Sequence, residues 1–508
     1  MKDSSQVNFD DLQGLLRYSH GKLTDTCFML LNIADIRAAK QWLDSAPISN
    51  ATATKPLPAT ALQIAFSVQG LRVLGLKKSV IDEFSDEFII GMAGDESRSR
   101  RLGDIAANAP EHWHWGGDAA QVAHVLLLLY AKKDGIEAWR KNVEGEQFSQ
   151  AFNLLALLPT LDIGAIEPFG FSDGISQPKI DWTRQQSTDI HKRDRYSNFL
   201  TVGEMVLGYP NEYGEYTNRP LINPKQDKLA AELPDAEENP ALKDLGRNGS
   251  YLVIRQLHQD VPGFWQFLDK VTGSVAEKRE QLAASMVGRR RDGSPLVPMA
   301  DEPIPGSAPT NQNNHFTYRI DPNGQKCPLG AHIRRANPRT GDFPTPVTGF
   351  INRLLKILGF ATTRADEDLI ASTRFHRIPR RGRSYGPLLT PEQALKADAP
   401  EAERGLQFIC LVANISRQFE FVQNAWSMSS KFGGVQQESD PLLGHREPLQ
   451  SNDSTAQFNQ PDASGPMQKT CELPQFIRVR GGGYFFMPGL RAIKYIAAVP
   501  INGSEKPS

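Results

Sequence analysis

Seven consecutive apolar residues, Val125–Ala131 (VLLLLYA), set the tightest constraint on this chain. The run is far too short to cross a bilayer. Bounded by polar segments, it fits a central strand of a sheet. Other stretches read as strands: 27–33, followed by a helical stretch through Trp42; 62–66, which alternates like a half-buried strand; 250–254; and Gly405–Val412. Segments 264–271 and 352–358 read as helices. Strands alternating with helices argue for α/β or α+β layers, and periodicity does not separate the two. Segments 218–240, 298–314 and 431–470 are rich in Pro, Asn, Asp, Ser and Gly and predict long loops.

Composition excludes several classes. The 508 residues carry a formal net charge of -1, which favours neither nucleic acid nor an anionic membrane surface as a partner. The four cysteines, Cys27, Cys327, Cys410 and Cys471, form no C-x-x-C pair, so zinc ribbons and thioredoxin-like chemistry are not expected. The first residues lack the apolar run of a signal peptide, and the expectation is a cytoplasmic protein.

Three strings concentrate chemistry. The first is GFSDGISQP at 170–178. It reads as a tight turn with Asp173 capping its own backbone. It also matches G-x-S-x-G with Ser172 as a nucleophile, but Pro168 upstream and Gly174 and Pro178 downstream oppose the strand-turn-helix which that motif needs. In a third reading, Asp173 on a Gly-bounded loop is a general base and then a general acid. The second string, CPLGAHIRRANPR at 327–339, puts His332 in a short basic segment. It reads as a helical turn with a satisfied histidine and solvated arginines. A thiolate ligand at Cys327 is disfavoured, because Cys is usually a small buried hydrophobe. The third, RFHRIPRRGRSYG at 374–386, reads as a solvated charge run or an anion-binding loop.

Together the strings resemble the dye-decolorizing peroxidases. GFSDGISQP carries that family's GxxDG signature, CPLGAH resembles its proximal haem-ligand segment, and RRGRSYG resembles the segment with its distal arginine. Flanking matches at 11–14, 203–209, 288–296 and 481–488 follow in the expected order.

The resemblance implies one haem b per chain with His332 as the axial iron ligand. Arg334, Arg335 and Arg339 would pair with the haem propionates, a geometry that suits arginine. Asp173 would be the acid/base and Arg380, rather than its neighbour Arg381, the distal arginine. Leu406 and Phe408, on one face of a strand, would cover the distal side. Glu420, flanked by apolar residues, is the candidate acceptor behind His332, with an ordinary salt bridge as the alternative.

The implied fold is α+β: two ferredoxin-like domains with antiparallel sheets and surrounding helices, 1–165 and 166–508, the haem lying mainly in the second. Residues 341–375 look like an insertion of the larger family members. The implied activity is reduction of hydrogen peroxide with oxidation of dyes, phenols or similar organic reductants, by way of an oxidised haem. A haem-handling or iron-releasing protein is the rival reading. Trp426 and Tyr385 are open as surface electron relays, and homo-oligomer formation is left open.

Overall fold

The run Val125–Ala131 is a strand with every side chain buried. Val125, Leu127 and Leu129 enter one apolar cluster, while Leu126, Leu128 and Tyr130 enter another. Side chains alternate along a strand, so the unbroken apolar run marks a sheet covered on both faces.

The computed structural model of the protein describes residues 6–185, 197–300, 312–339, 373–446, 454–462 and 464–501. Its main sheet is built from β1 (Asp25–Ile33), β2 (Thr60–Phe66), β3 (Val125–Ala131), β4 (Phe152–Pro159), β5 (Ser250–Gln259), β6 (Arg383–Tyr385), β7 (Gly405–Val412) and β8 (Ile477–Met487). These strands pair antiparallel in the order β6-β7-β5-β8-β2-β3-β1-β4. The first four strands and the last four follow the same permutation, so each set is a ferredoxin-like unit.

The two expected sheets are fused. β8 pairs with β2 at Phe486 and Phe66, giving one eight-stranded sheet. Its two ends also approach each other: just beyond β4, the Leu161 N–H donates to the Ser384 carbonyl of β6 at 2.8 Å.

Helices cover the sheet. Asp35 caps α1 (Ile36–Ser45) by accepting from the Ala38 N–H at 2.8 Å. The helix expected at 264–271 is α2 (Val261–Val271), which starts earlier because Asp260 caps it and Pro262 suits the first turn. It is followed by α3 (Ala276–Val287) and the short α4 (His332–Ala336). The last helix is α5 (Leu490–Ala498), which packs on α1. The helix expected at 352–358, and most of the 341–375 insertion, lie outside the described residues. No helix among the described residues is long and apolar enough to cross a membrane.

Candidate functional site

His332 opens α4. Its Nδ1–H donates to Asp440 Oδ2 at 2.8 Å. The other carboxylate oxygen, Oδ1, accepts from the backbone N–H groups of Leu442 and Leu443, both at 2.9 Å. Asp440 is fully buried. Burial opposes charge on both partners, but their mutual attraction and hydrogen bond outweigh it. Asp440 is therefore held below the usual carboxylate range and His332 above its ordinary value. An ionised Asp440 fixes a proton on Nδ1, so that in the neutral imidazole the lone pair lies on Nε2.

The backbone around this pair is held by Arg335. The fully buried guanidinium donates to the carbonyls of Gly330 (3.1 Å), Trp426 (2.8 Å), Ser429 (2.9 Å) and Glu438 (2.7 Å). It thereby ties α4 to the π-helical stretch Val422–Met428 and to the Asp440 loop. Gly330 is required by close approach: a Cβ there would lie 1.4 Å from Glu438 Oε1.

His332 lines a cavity whose empty space, counted together with the solvent at its mouth, is about 740 Å³. Its walls are mostly apolar, including Leu257 of β5, Phe408 of β7, and Ile477 and Val479 of β8. Leu102, Gly103, Asp104 and Asn108 complete it from the first unit. Arg255 and Arg380 are its cationic lining residues. Arg255 is ion-paired with Asp104, whose carboxyl burial pushes up to about 6. Arg255 Nε and Asp104 Oδ2 are buried with no hydrogen-bond partner among the described residues. An apolar chamber with one pre-oriented imidazole and an incompletely paired arginine fits a haem, which presents a flat apolar ring, an iron and carboxylates.

Arg380 and Phe408 also border a second, more open chamber of about 1450 Å³, which Asp173 and Leu406 line as well. Asp173 returns on a hairpin: its N–H donates to the Ala165 carbonyl at 3.0 Å, and Ser172 bridges to Ile166. The Arg380 backbone N–H donates to Gln177 Oε1 at 2.9 Å, and Arg380 Nη2 lies 3.5 Å from Asp173 Oδ1. The structure thus brings Asp173, Arg380, Leu406 and Phe408 together, with His332 sharing a cavity with two of them. Arg381 borders the open chamber too but not the cavity beside His332, and its guanidinium donates to the carbonyls of Leu15 (3.0 Å) and Leu16 (3.4 Å).

Several expected assignments are corrected. Arg334, Arg335 and Arg339 are not among the residues that line the cavity beside His332. Arg334 donates to Asp321 and to the Cys327 carbonyl, and stacks on Tyr318. Arg339 donates to Asn314 and to the Phe316 carbonyl. All three are buried, and buried guanidinium groups must satisfy their N–H donors locally.

Glu420 is not behind His332. It accepts from Tyr484 Oη at 2.9 Å and pairs with Arg98 at 2.8 Å. Ser172 Oγ donates to the Arg291 carbonyl at 2.9 Å, and its loop is no strand-to-helix elbow. Cys327 is buried away from the cavity, and burial pushes its thiol up to about 12. Trp426 and Tyr385 are buried at 7% and 6% exposure, so neither is a surface relay.

Sequence reasoning missed Asp440 and Arg255. Asp440 precedes a proline in ESDPLLG, a turn-initiating pair that hints at a side chain bonded to its own backbone. Arg255 is the charged position in an otherwise apolar strand run, SYLVIRQL.

No family model matches the chain. It is 28% identical over 518 residues to a dye-decolorizing peroxidase of Mycetinis scorodonius, covering 98% of this chain and 89% of that protein. A dye-decolorizing peroxidase of Mycena epipterygia is 29% identical over 537 residues, covering 98% and 87%. The crystal structure of a decolorizing peroxidase from Auricularia auricula-judae shares the fold, with a TM-score of 0.71 at 24% identity over 97% of this chain and 100% of that one. The similarity runs from end to end in sequence and is repeated in the fold: what this chain is similar to is the dye-decolorizing peroxidases, a haem-dependent family.

Proposed function

We propose that the cavity beside His332 holds one haem b, with Nε2 of His332 as the axial iron ligand, and that the protein reduces hydrogen peroxide while oxidising an organic reductant such as a dye or a phenol. One observation carries this reading. A single cavity is bordered by an imidazole fixed by a buried carboxylate, His332–Asp440, and by an arginine that reaches a second carboxylate, Arg380–Asp173.

Haem, when bound, supplies an iron at which the O–O bond of peroxide is cleaved and from which oxidising equivalents pass to the reductant. The protein's own groups do the rest. Asp173 takes the proton from peroxide and returns it to the departing oxygen. Arg380 supplies N–H donors where negative charge develops as the bond breaks. Asp440, by accepting from Nδ1–H, makes His332 a more basic ligand. Leu406 and Phe408 present apolar surface on the Arg380 side. Arg255 is the candidate partner for a propionate.

Stopped-flow mixing of the haem-loaded protein with peroxide tests the assignment. Asp173→Asn is expected to slow the reaction about 10²–10⁴-fold. Arg380→Leu is expected to slow it about 10²–10³-fold. Wild-type rates in both variants would refute the roles of these two residues. Tight haem binding without steady-state dye turnover would instead favour a haem carrier.

A further inference from the structure

We propose that Glu167 is a positioning residue for Asp173: its side chain clamps the tip of the Asp173 hairpin and fastens it to strand β5 beside the haem cavity. The inference rests on the reading that Asp173 moves the proton of peroxide.

Glu167 lies at the base of the hairpin and grips it with both backbone and side chain. Its N–H donates to the Phe171 carbonyl, and its own carbonyl accepts from the Gly170 N–H, both at 2.8 Å. Its Oε1 accepts from the Phe171 N–H at 2.9 Å. Its Oε2 accepts from the Phe169 N–H at 3.0 Å and from Gln259 Nε2 at 2.8 Å. Both carboxyl oxygens are thus engaged, one on Phe171 and the other on Phe169 and Gln259, which ties the hairpin to the sheet at three points.

Gln259 gives the anchor a fixed base. It is buried at the end of β5, and its N–H donates to the Arg404 carbonyl at 2.8 Å. The same strand contributes Arg255 and Leu257 to the cavity wall. Asp173 follows the clamped Phe171 by two residues, where the chain is otherwise held by Ala165 and Arg291 carbonyls. Burial pushes the Glu167 carboxyl up to about 7 against the pull of its three donors, and the Asp173 charge adds to the rise.

Glu167→Gln keeps the volume but puts an NH2 group where one oxygen accepted. Whichever way the amide turns, at least one backbone N–H then faces a donor. A displacement of about 1 Å at a reacting group costs up to about 100-fold in rate. The test measures the second-order rate constant with hydrogen peroxide for haem-loaded wild type, E167Q, D173N and the double variant. Amide hydrogen exchange over 165–174 is followed in parallel.

A drop of about 10- to 100-fold in E167Q, at an unchanged Soret band and an unchanged reductant step, is expected. Faster exchange at Phe169 and Phe171, and no further drop when E167Q is added to D173N, complete the expected result. Gln259→Leu, which leaves the backbone contacts of Glu167 in place, should act in the same direction but less, and carries the test if E167Q does not fold. A wild-type peroxide rate in E167Q, or an equal fold-drop on the D173N background, overturns the inference. A wild-type rate in D173N overturns the acid/base reading itself, whatever E167Q does.

Discussion

Replacing Asp440 by asparagine keeps the side chain's shape and removes its charge. The buried carboxylate accepts from His332 Nδ1 at 2.8 Å and from the Leu442 and Leu443 amides at 2.9 Å. Asparagine Oδ1 can still accept from both amides. Its NH2 group then meets the His332 Nδ1–H, donor against donor. The imidazole must move its proton to Nε2, which abolishes the ligating lone pair, or turn away.

A hydrogen bond to a charged group contributes about 1.5–3 kcal/mol. At about 1.4 kcal/mol per factor of ten, that is roughly 10- to 100-fold in haem affinity. The same range is found, at about 10- to 100-fold, for partners that orient metal-bound histidines. Haem titration followed at the Soret band measures the dissociation constant directly, and the iron's reduction potential should rise as the ligand becomes less basic. Glu420→Gln is the control, because Glu420 bonds to Arg98 and Tyr484 rather than to His332. Equal haem affinity and potential in D440N and wild type would refute the reasoning.

Gly330→Ala should force Glu438 aside, since a Cβ there would sit 1.4 Å from its carboxylate. Because Asp440 follows two residues later, haem affinity should fall along with thermal stability; a variant with wild-type Tm and Soret titration would contradict the packing. His20 concerns pH. Burial lowers it to about 4, with Arg383 and Arg381 adding to the effect. The unfolded chain takes up this proton first, near pH 6.5, so the contribution of His20 is present above that pH and is lost as the pH falls toward 4. His20→Asn suits the positive backbone φ of 51° and removes the loss. Its unfolding free energy relative to wild type should therefore improve between pH 7.5 and 5, by about 2 kcal/mol at about 1.4 per pH unit; calorimetry showing a constant difference would exclude His20 as a source of acid sensitivity.

Local signals were readable in the sequence, and long-range ones were not. Val125–Ala131 and Gly405–Val412 stand out because sheets covered on both faces produce continuous apolar runs. β8 is hidden by its glycines. Gly481 sits there because the Trp115 indole lies against it, where a Cβ would be 2.4 Å from Nε1. β6 is hidden in a basic string because an edge strand carries charge. The fusion of the two sheets rests on a single pair, Phe486 with Phe66, which no local pattern announces.

At the site, Asp173, His332 and Arg380 could be picked out because each lies in a compact string. The carbonyls that Arg334, Arg335 and Arg339 satisfy could not be foreseen, because a sequence displays charge but not the buried acceptors that meet it. Asp440 lies in a distant loop, and only the folded chain places it on His332 while Glu420 is drawn to Arg98.

The most direct measurement is the absorption spectrum of purified protein titrated with haem, wild type beside His332→Ala. The expected result is an intense Soret band in wild type that saturates at one haem per chain, and a lost or displaced band in H332A. No Soret band in wild type, or an identical spectrum and affinity in H332A, would contradict His332 as the iron ligand.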